Sequence, residues 1–197
     1  AALRAFGRAQ RFGYKGNHPG MRTASFANMP EFRPMRRRVE ALVGERLPYW
    51  FAAFQLSRAN DTDNAIHRDY PTYKYSAVLY LTPGAPCRFG TSTYRHLSTG
   101  LVSYPNQEDA WRRNTTVEVL RDTLQDDSTE DKYEEMDRVG NRYNRLILFN
   151  SRLNHRSSGK GAFGRAVDGR DGRLVMIMFF HTHDLRGPEN SILWHDE

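Results

Sequence analysis

The run Arg173-Leu174-Val175-Met176-Ile177-Met178-Phe179-Phe180 sets the fold. Seven apolar residues follow one arginine, and both alternating faces are apolar. That pattern reads as a strand buried on both sides. The run is far shorter than the about 20 residues a membrane-spanning helix needs. Working outward, three similar runs precede it: Phe51 to Leu56, Tyr75 to Leu81 and Leu146 to Phe149. Each is short and bounded by Gly, Pro, Asn or charge, which predicts further strands. From residue 51 onward the chain therefore has the texture of a β core.

The flanks read differently. Residues 1–30 are rich in Gly, Asn and Pro and predict turns and loop. Residues 34–47 predict a helix, with Pro34 in its first turn and Met35, Val39, Leu42, Val43 and Leu47 on one face. A polar insert spans 104–143. Thr115-Thr116-Val117-Glu118 has the form of a capping box, and Val117, Leu120 and Leu124 follow at helical spacing. Residues 123–137 hold seven acidic residues and one Lys, so a solvated helical insert is expected there. There is no internal repeat and no linker long enough to separate a pair of domains. The expected organisation is one domain over 1–197, with a basic extension 1–50, a β core 51–182 carrying the insert, and a tail 183–197.

The 197 residues carry 29 Lys or Arg and 23 Asp or Glu, a net charge of +6. Residues 1–50 hold ten basic and three acidic residues, a net of +7, so the rest of the chain is nearly neutral at −1. The excess belongs to the N-terminal quarter, where pairing with the acidic insert, an acidic substrate or a carrier protein explains it as well as nucleic acid would. Of the basic residues 25 are Arg, the side chain suited to bidentate contact with carboxylate or phosphate. A hydrophobic fraction of 39% excludes a wholly disordered chain. Cys87 is the sole cysteine, so no internal disulfide forms, and a reducing cytoplasm is the expected setting.

Chemistry concentrates in His67-Arg68-Asp69, His155 and Arg173. His67 and Asp69 are two apart, so on an extended strand they share a face. His155 follows the strand-like run 146–149. Two imidazoles and one carboxylate make a facial triad able to hold iron(II) and leave neighbouring positions open. Arg173 opens the last apolar strand, where a charge is costly unless paired with an anion. His181, His183 and Asp184 form a second alternating group, but they lie past the last core strand. His18, His96 and His195 lack such a context.

On these residues the chain resembles the non-haem iron(II), 2-oxoglutarate-dependent dioxygenase superfamily, over about residues 50–182. The stretch Gly140 to Asn150 before His155 is similar to small bacterial oxygenase-like domains of that superfamily. The resemblance implies an α+β fold with a mostly β core, a double-stranded β-helix of jelly-roll or cupin type flanked by helices. It implies iron(II) on His67, Asp69 and His155, with 2-oxoglutarate as cosubstrate and O2 as oxidant. Arg173 matches the residue that anchors 2-oxoglutarate, and Arg165 is the second candidate. Asp69 stands where halogenating members carry a small residue, so hydroxylation or desaturation is the implied outcome.

The expected substrate is a small molecule, such as an amino acid or a biosynthetic natural-product intermediate, free or carrier-bound. Tyr73 and Tyr75 are candidates to bond 2-oxoglutarate or substrate, with half-buried strand packing as their ordinary role. Arg22, Arg68, Arg88 and Arg95 are candidates for a substrate carboxylate or phosphate. Two other readings stay open: an oxygenase acting on nucleic acid or protein, supported by the basic N-terminal quarter alone, and a non-enzymatic metal-binding barrel of cupin type. The last leaves Arg173 without a task.

Overall fold

The strand that begins at Arg173 becomes the centre of a six-stranded antiparallel sheet. The computed structural model describes residues 1–15, 20–59, 61, 65–69, 72–126, 129–158 and 172–181. The elements, in chain order, are α1 (Ala2–Arg8), β1 (Tyr14–Lys15), β2 (Met21–Arg22), α2 (Arg33–Val43), β3 (Tyr49–Ser57), β4 (Tyr75–Tyr80), β5 (Thr91–His96), α3 (Gln107–Arg112), α4 (Val117–Asp126), β6 (Tyr133–Val139), β7 (Leu146–Asn150), β8 (His155–Ser157) and β9 (Arg173–His181). The large sheet runs β1-β2-β3-β9-β4-β7, and a smaller sheet runs β6-β5-β8. All pairs are antiparallel. Among the described residues no helix is long and apolar enough to cross a membrane.

β9 is buried on both faces because it lies between β3 and β4 and has packing on each side. Its register places Met178 beside Ala52 and Ala77, and Ile177 beside Ala53 and Val78. The period of two then sorts the side chains. Leu174, Met176, Met178 and Phe180 join Ala52, Phe54, Leu56, Ala77 and Leu79 in the main core, which the N-terminal segment covers. Phe6 of α1 sits edge-on to Phe26 at 5.2 Å, and Phe26 sits edge-on to Phe54 at 5.5 Å. Full burial of a Phe side chain stabilises by about 1.5–3 kcal/mol; Phe32 is buried and Phe6 and Phe26 partly so, so the extension holds the large sheet rather than hanging free. The opposite face carries Ala53, Val175, Ile177, Val78 and Tyr80, with Phe51, Ile147 and Phe179 packed against them. That face looks toward the small sheet.

Four expectations are corrected. Residues 2–8 are helical rather than loop, and Gly7 is needed there because a Cβ would stand 2.5 Å from the Phe54 ring. The helix expected over 34–47 ends at Val43, where Gly44 adopts φ +73° and its N–H bonds the Glu40 carbonyl. Leu42 is consequently 69% exposed, while Leu47 reaches the core from the following loop. The insert is not helical throughout. α4 forms where its capping signal suggests, α3 precedes it with a capping box of Asn106 and Asp109, and the two cover Tyr94, Leu101 and Tyr133 of the small-sheet side, but the acidic stretch continues into β6, an edge strand whose Glu134, Glu135 and Asp137 face solvent. Charge on an edge strand blocks pairing with other chains. β5 is a strand that the pattern of apolar runs does not predict, because Thr91-Ser92-Thr93-Tyr94-Arg95-His96 is polar. The C-terminal tail, 183–197, and residues 159–171, which include Arg165, lie outside the described residues.

Candidate metal centre

His67 and His155 are opposite members of an isolated antiparallel bridge that extends the small sheet beyond β8. The His67 N–H donates to the His155 carbonyl at 3.0 Å, and the His155 N–H donates back at 2.8 Å. Residues paired in this way project side chains from the same face, and the two rings lie 4.4 Å apart. Two residues on, the Asp69 N–H donates to the Ser151 carbonyl at 3.0 Å, which ties the segment down past the isolated bridge. Asp69 thus shares the face of His67, and its Oδ2 lies 3.4 Å from His155 Nε2. One ligand atom from each of the three residues falls within 4.8 Å of the others.

The donor set fits a divalent metal. His67 Nδ1 lies 3.0 Å from the Ala65 carbonyl and His155 Nδ1 lies 2.8 Å from the Leu153 carbonyl. A carbonyl only accepts, so each Nδ1 carries the proton and each Nε2 presents a lone pair. The Ser76 hydroxyl of β4 donates to Asp69 Oδ2 and fixes the carboxylate. Phe149 packs edge-on to the His155 ring at 4.7 Å. Backbone carbonyls, a hydroxyl and an aromatic wall thus hold the three side chains in the arrangement that a metal site requires.

The three residues open into a cavity of about 70 Å³ between the two sheets, and Arg173, Arg22 and Thr91 also line it. One water needs about 10–15 Å³ on this measure, so the space admits a small ligand. Arg173 is 4% exposed. Its Nε and Nη2 donate to the carbonyls of Phe89 and Gly90 at 3.3 and 3.4 Å, and its Cζ lies 5.5 Å from the Tyr80 ring centre. No carboxylate among the described residues pairs with it. Burial pulls its pKa down, with Tyr80 alone opposing, yet a guanidinium stays charged. The Tyr80 hydroxyl, pushed up by burial and so kept protonated, bonds Thr91 Oγ1 at 2.8 Å.

Other expected site residues scatter. Arg22 lines the cavity and donates to Gln55. Tyr73 stacks on Phe179 at 4.8 Å and meets His181 edge-on, beside the site. Tyr75 points to the other face of the sheet, toward Glu45 and Lys74. Arg68 turns away from the cavity and bonds Asn154 Oδ1 and the Leu124 carbonyl. Arg88 is exposed over the Phe89 ring, and Arg95 is exposed beside Glu134. Arg165, His183, Asp184, His18 and His195 lie outside the described residues. His96 is buried at the end of β5 against Thr99 and Tyr133. Thr91 belongs to the segment Cys87 to Tyr94, a candidate lining of the site from sequence, whereas Tyr80 and Ser76 were missed. A signal existed for both: Ser76 and Tyr80 are polar at even spacing within an apolar strand, which marks one face.

Residues 2–180 match a family of unknown function, DUF6445. The chain belongs to that family. No curated protein matches this DUF6445 chain. Among solved structures, it is similar to a prolyl hydroxylase from Trichoplax adhaerens in complex with a hypoxia inducible factor oxygen degradation domain peptide fragment. Identity there is 12%, over 91% of this chain and 74% of that one, with a TM-score of 0.47. It is also similar to the non-heme iron oxygenase OrfP in complex with Fe, at 13% identity over 94% of this chain and 80% of that one, with a TM-score of 0.41.

Proposed function

We propose that this protein is an iron(II)- and 2-oxoglutarate-dependent oxygenase that hydroxylates or desaturates a small molecule, free or carrier-bound. One observation carries the reading. A metal-ready His67-Asp69-His155 triad and a buried Arg173 without a carboxylate partner among the described residues line the same cavity. A metal alone explains the triad and not the guanidinium. An anion alone explains the guanidinium and not the paired imidazoles beside a carboxylate. A dianion with a chelating 2-oxo acid at one end and a carboxylate at the other explains both.

His67 Nε2, Asp69 and His155 Nε2 would hold the metal. Bound iron would supply dioxygen activation coupled to decarboxylation of the 2-oxo acid. Arg173 would fix the far carboxylate, and the neutral Tyr80 and Thr91 hydroxyls beside it would add hydrogen bonds. Val175, Ile177 and Val78 supply an apolar wall that keeps water from the bound acid. The two sheets around the cavity are read as the double-stranded β-helix, within one unit over 1–197. The test is succinate release with iron(II), 2-oxoglutarate and a panel of amino acids. Iron-dependent release that is lost in the His155→Ala protein supports the reading, and tight iron binding without any release in the presence of substrate candidates favours the cupin-type barrel.

A further inference from the structure

Two further arginines line the cavity: Arg156 is paired with Glu130 at 2.8 Å, and Arg22 is not used by the chemistry above. It lies on β2, paired in register with Gln55 of β3, on the sheet face that lines the cavity. Its Nε donates to Gln55 Oε1 at 2.9 Å. That bond orients the guanidinium plane and leaves the Nη1 and Nη2 edge without a hydrogen bond among the described residues. No carboxylate there lies within ion-pairing distance of Arg22. It is partly buried, and the charges of Asp69 and Tyr73 act on it. Arg173, in contrast, sits over Tyr80 against the carbonyls of Phe89 and Gly90. The two guanidiniums therefore serve different regions of the cavity, one beside the metal carboxylate and one at the Tyr80 end.

Charge then limits what the site accepts. With the Arg156 charge offset by Glu130, iron(II), Arg22 and Arg173 against Asp69 leave three positive charges in a confined space. A 2-oxoglutarate dianion removes two. One positive charge remains, and it is located at Arg22.

We propose that the primary substrate is a small carboxylic acid whose carboxylate is bound by the Nη1 and Nη2 atoms of Arg22. This rests on the oxygenase reading of the same cavity. A planar fork matches a carboxylate with two parallel hydrogen bonds. A phosphate dianion fits less well, because it would exceed the single residual charge and stand near Asp69.

The test is anaerobic titration calorimetry on protein loaded with iron(II) and 2-oxoglutarate. The probes are N-acetyl amino acids, each paired with its neutral C-terminal amide. At least one acid is expected to bind about 10-fold or more tightly than its amide. Arg22→Met should erase that preference and leave 2-oxoglutarate affinity unchanged. Arg22→Lys, which keeps charge but not the fork, should retain some of it. No preference in the parent protein, or a preference that survives Arg22→Met, overturns the proposal. Loss of 2-oxoglutarate binding in Arg22→Met also overturns it, because Arg22 would then hold the cosubstrate. The titration is repeated on metal-free protein, where an Arg22-dependent preference supports the subsite even if iron binding, and with it the oxygenase reading, fails.

Discussion

His67 and His155 hold each other in place through a reciprocal pair of backbone hydrogen bonds, at 3.0 and 2.8 Å, and each ring leans its Nδ1 on the carbonyl two residues before it. The two ligands thus share one local geometry on two antiparallel segments. The backbone sets the ring positions, so the side chains themselves are dispensable for the fold. His67→Ala and His155→Ala should each abolish tight iron(II) binding while the metal-free protein melts within a few degrees of the parent. Equilibrium dialysis with iron(II) and a thermal melt check both halves.

Ser76 reaches across from the large sheet to hold Asp69. Removing a partner that orients a ligand costs roughly 10–100-fold in metal affinity. Ser76→Ala should weaken iron(II) by that factor, less than loss of a ligand does, and the same dialysis measures it.

Arg173 is a buried cation that no carboxylate among the described residues neutralises. Replacing it by Met removes an uncompensated charge, so the apo protein should lose little stability. Affinity for 2-oxoglutarate should instead fall by on the order of 100-fold, the equivalent of about 3 kcal/mol for a charge-assisted pair. Iron affinity should not change. Arg165→Met serves as the control, and a larger loss there than in Arg173→Met would move the anchor to Arg165.

Asn154 has the opposite profile. It is fully buried, its Nδ2 donates to the carbonyls of Tyr94 and Leu101 at 3.3 and 3.0 Å, and its Oδ1 accepts from Arg68. Arg68 in turn ties α4 through the Leu124 carbonyl. Asn154→Ala strands several polar groups and should cost about 2–4 kcal/mol. For a chain of this length that lowers the melting temperature by roughly 4–16 °C, which calorimetry reads directly.

β3, β4, β7 and β9 of the large sheet were legible because an apolar run such as 174–180 has few other uses, whereas the two-residue β1 and β2 fell in a stretch read as turns and loop. The grouping of His67 and Asp69 was legible because His-x-Asp on an extended segment places both side chains on one face, and the structure brings His155 to them. β5 and β6 were not legible. β5 is buried but mostly polar and β6 is an exposed edge, with Tyr94 and Tyr133 as their main apolar contribution, so side-chain periodicity is nearly silent there. Arg68 shows the limit for sites. It stands between two ligands in sequence, yet strand alternation turns it to the opposite face, where it serves packing. Arg22 shows the reverse. Nothing local distinguishes it from its basic neighbours, and only pairing with β3 brings it to the cavity.

The most direct measurement is an anaerobic titration of the protein with iron(II) in the presence of 2-oxoglutarate, followed by visible absorption of the iron(II)–2-oxo acid chelate. The expected result is a charge-transfer band that saturates at one equivalent of iron, vanishes in His155→Ala, and needs far more 2-oxoglutarate in Arg173→Met. No band in the parent protein, or a band that persists unchanged in His155→Ala, would contradict the assignment of His67, Asp69 and His155 as the metal ligands of an oxygenase.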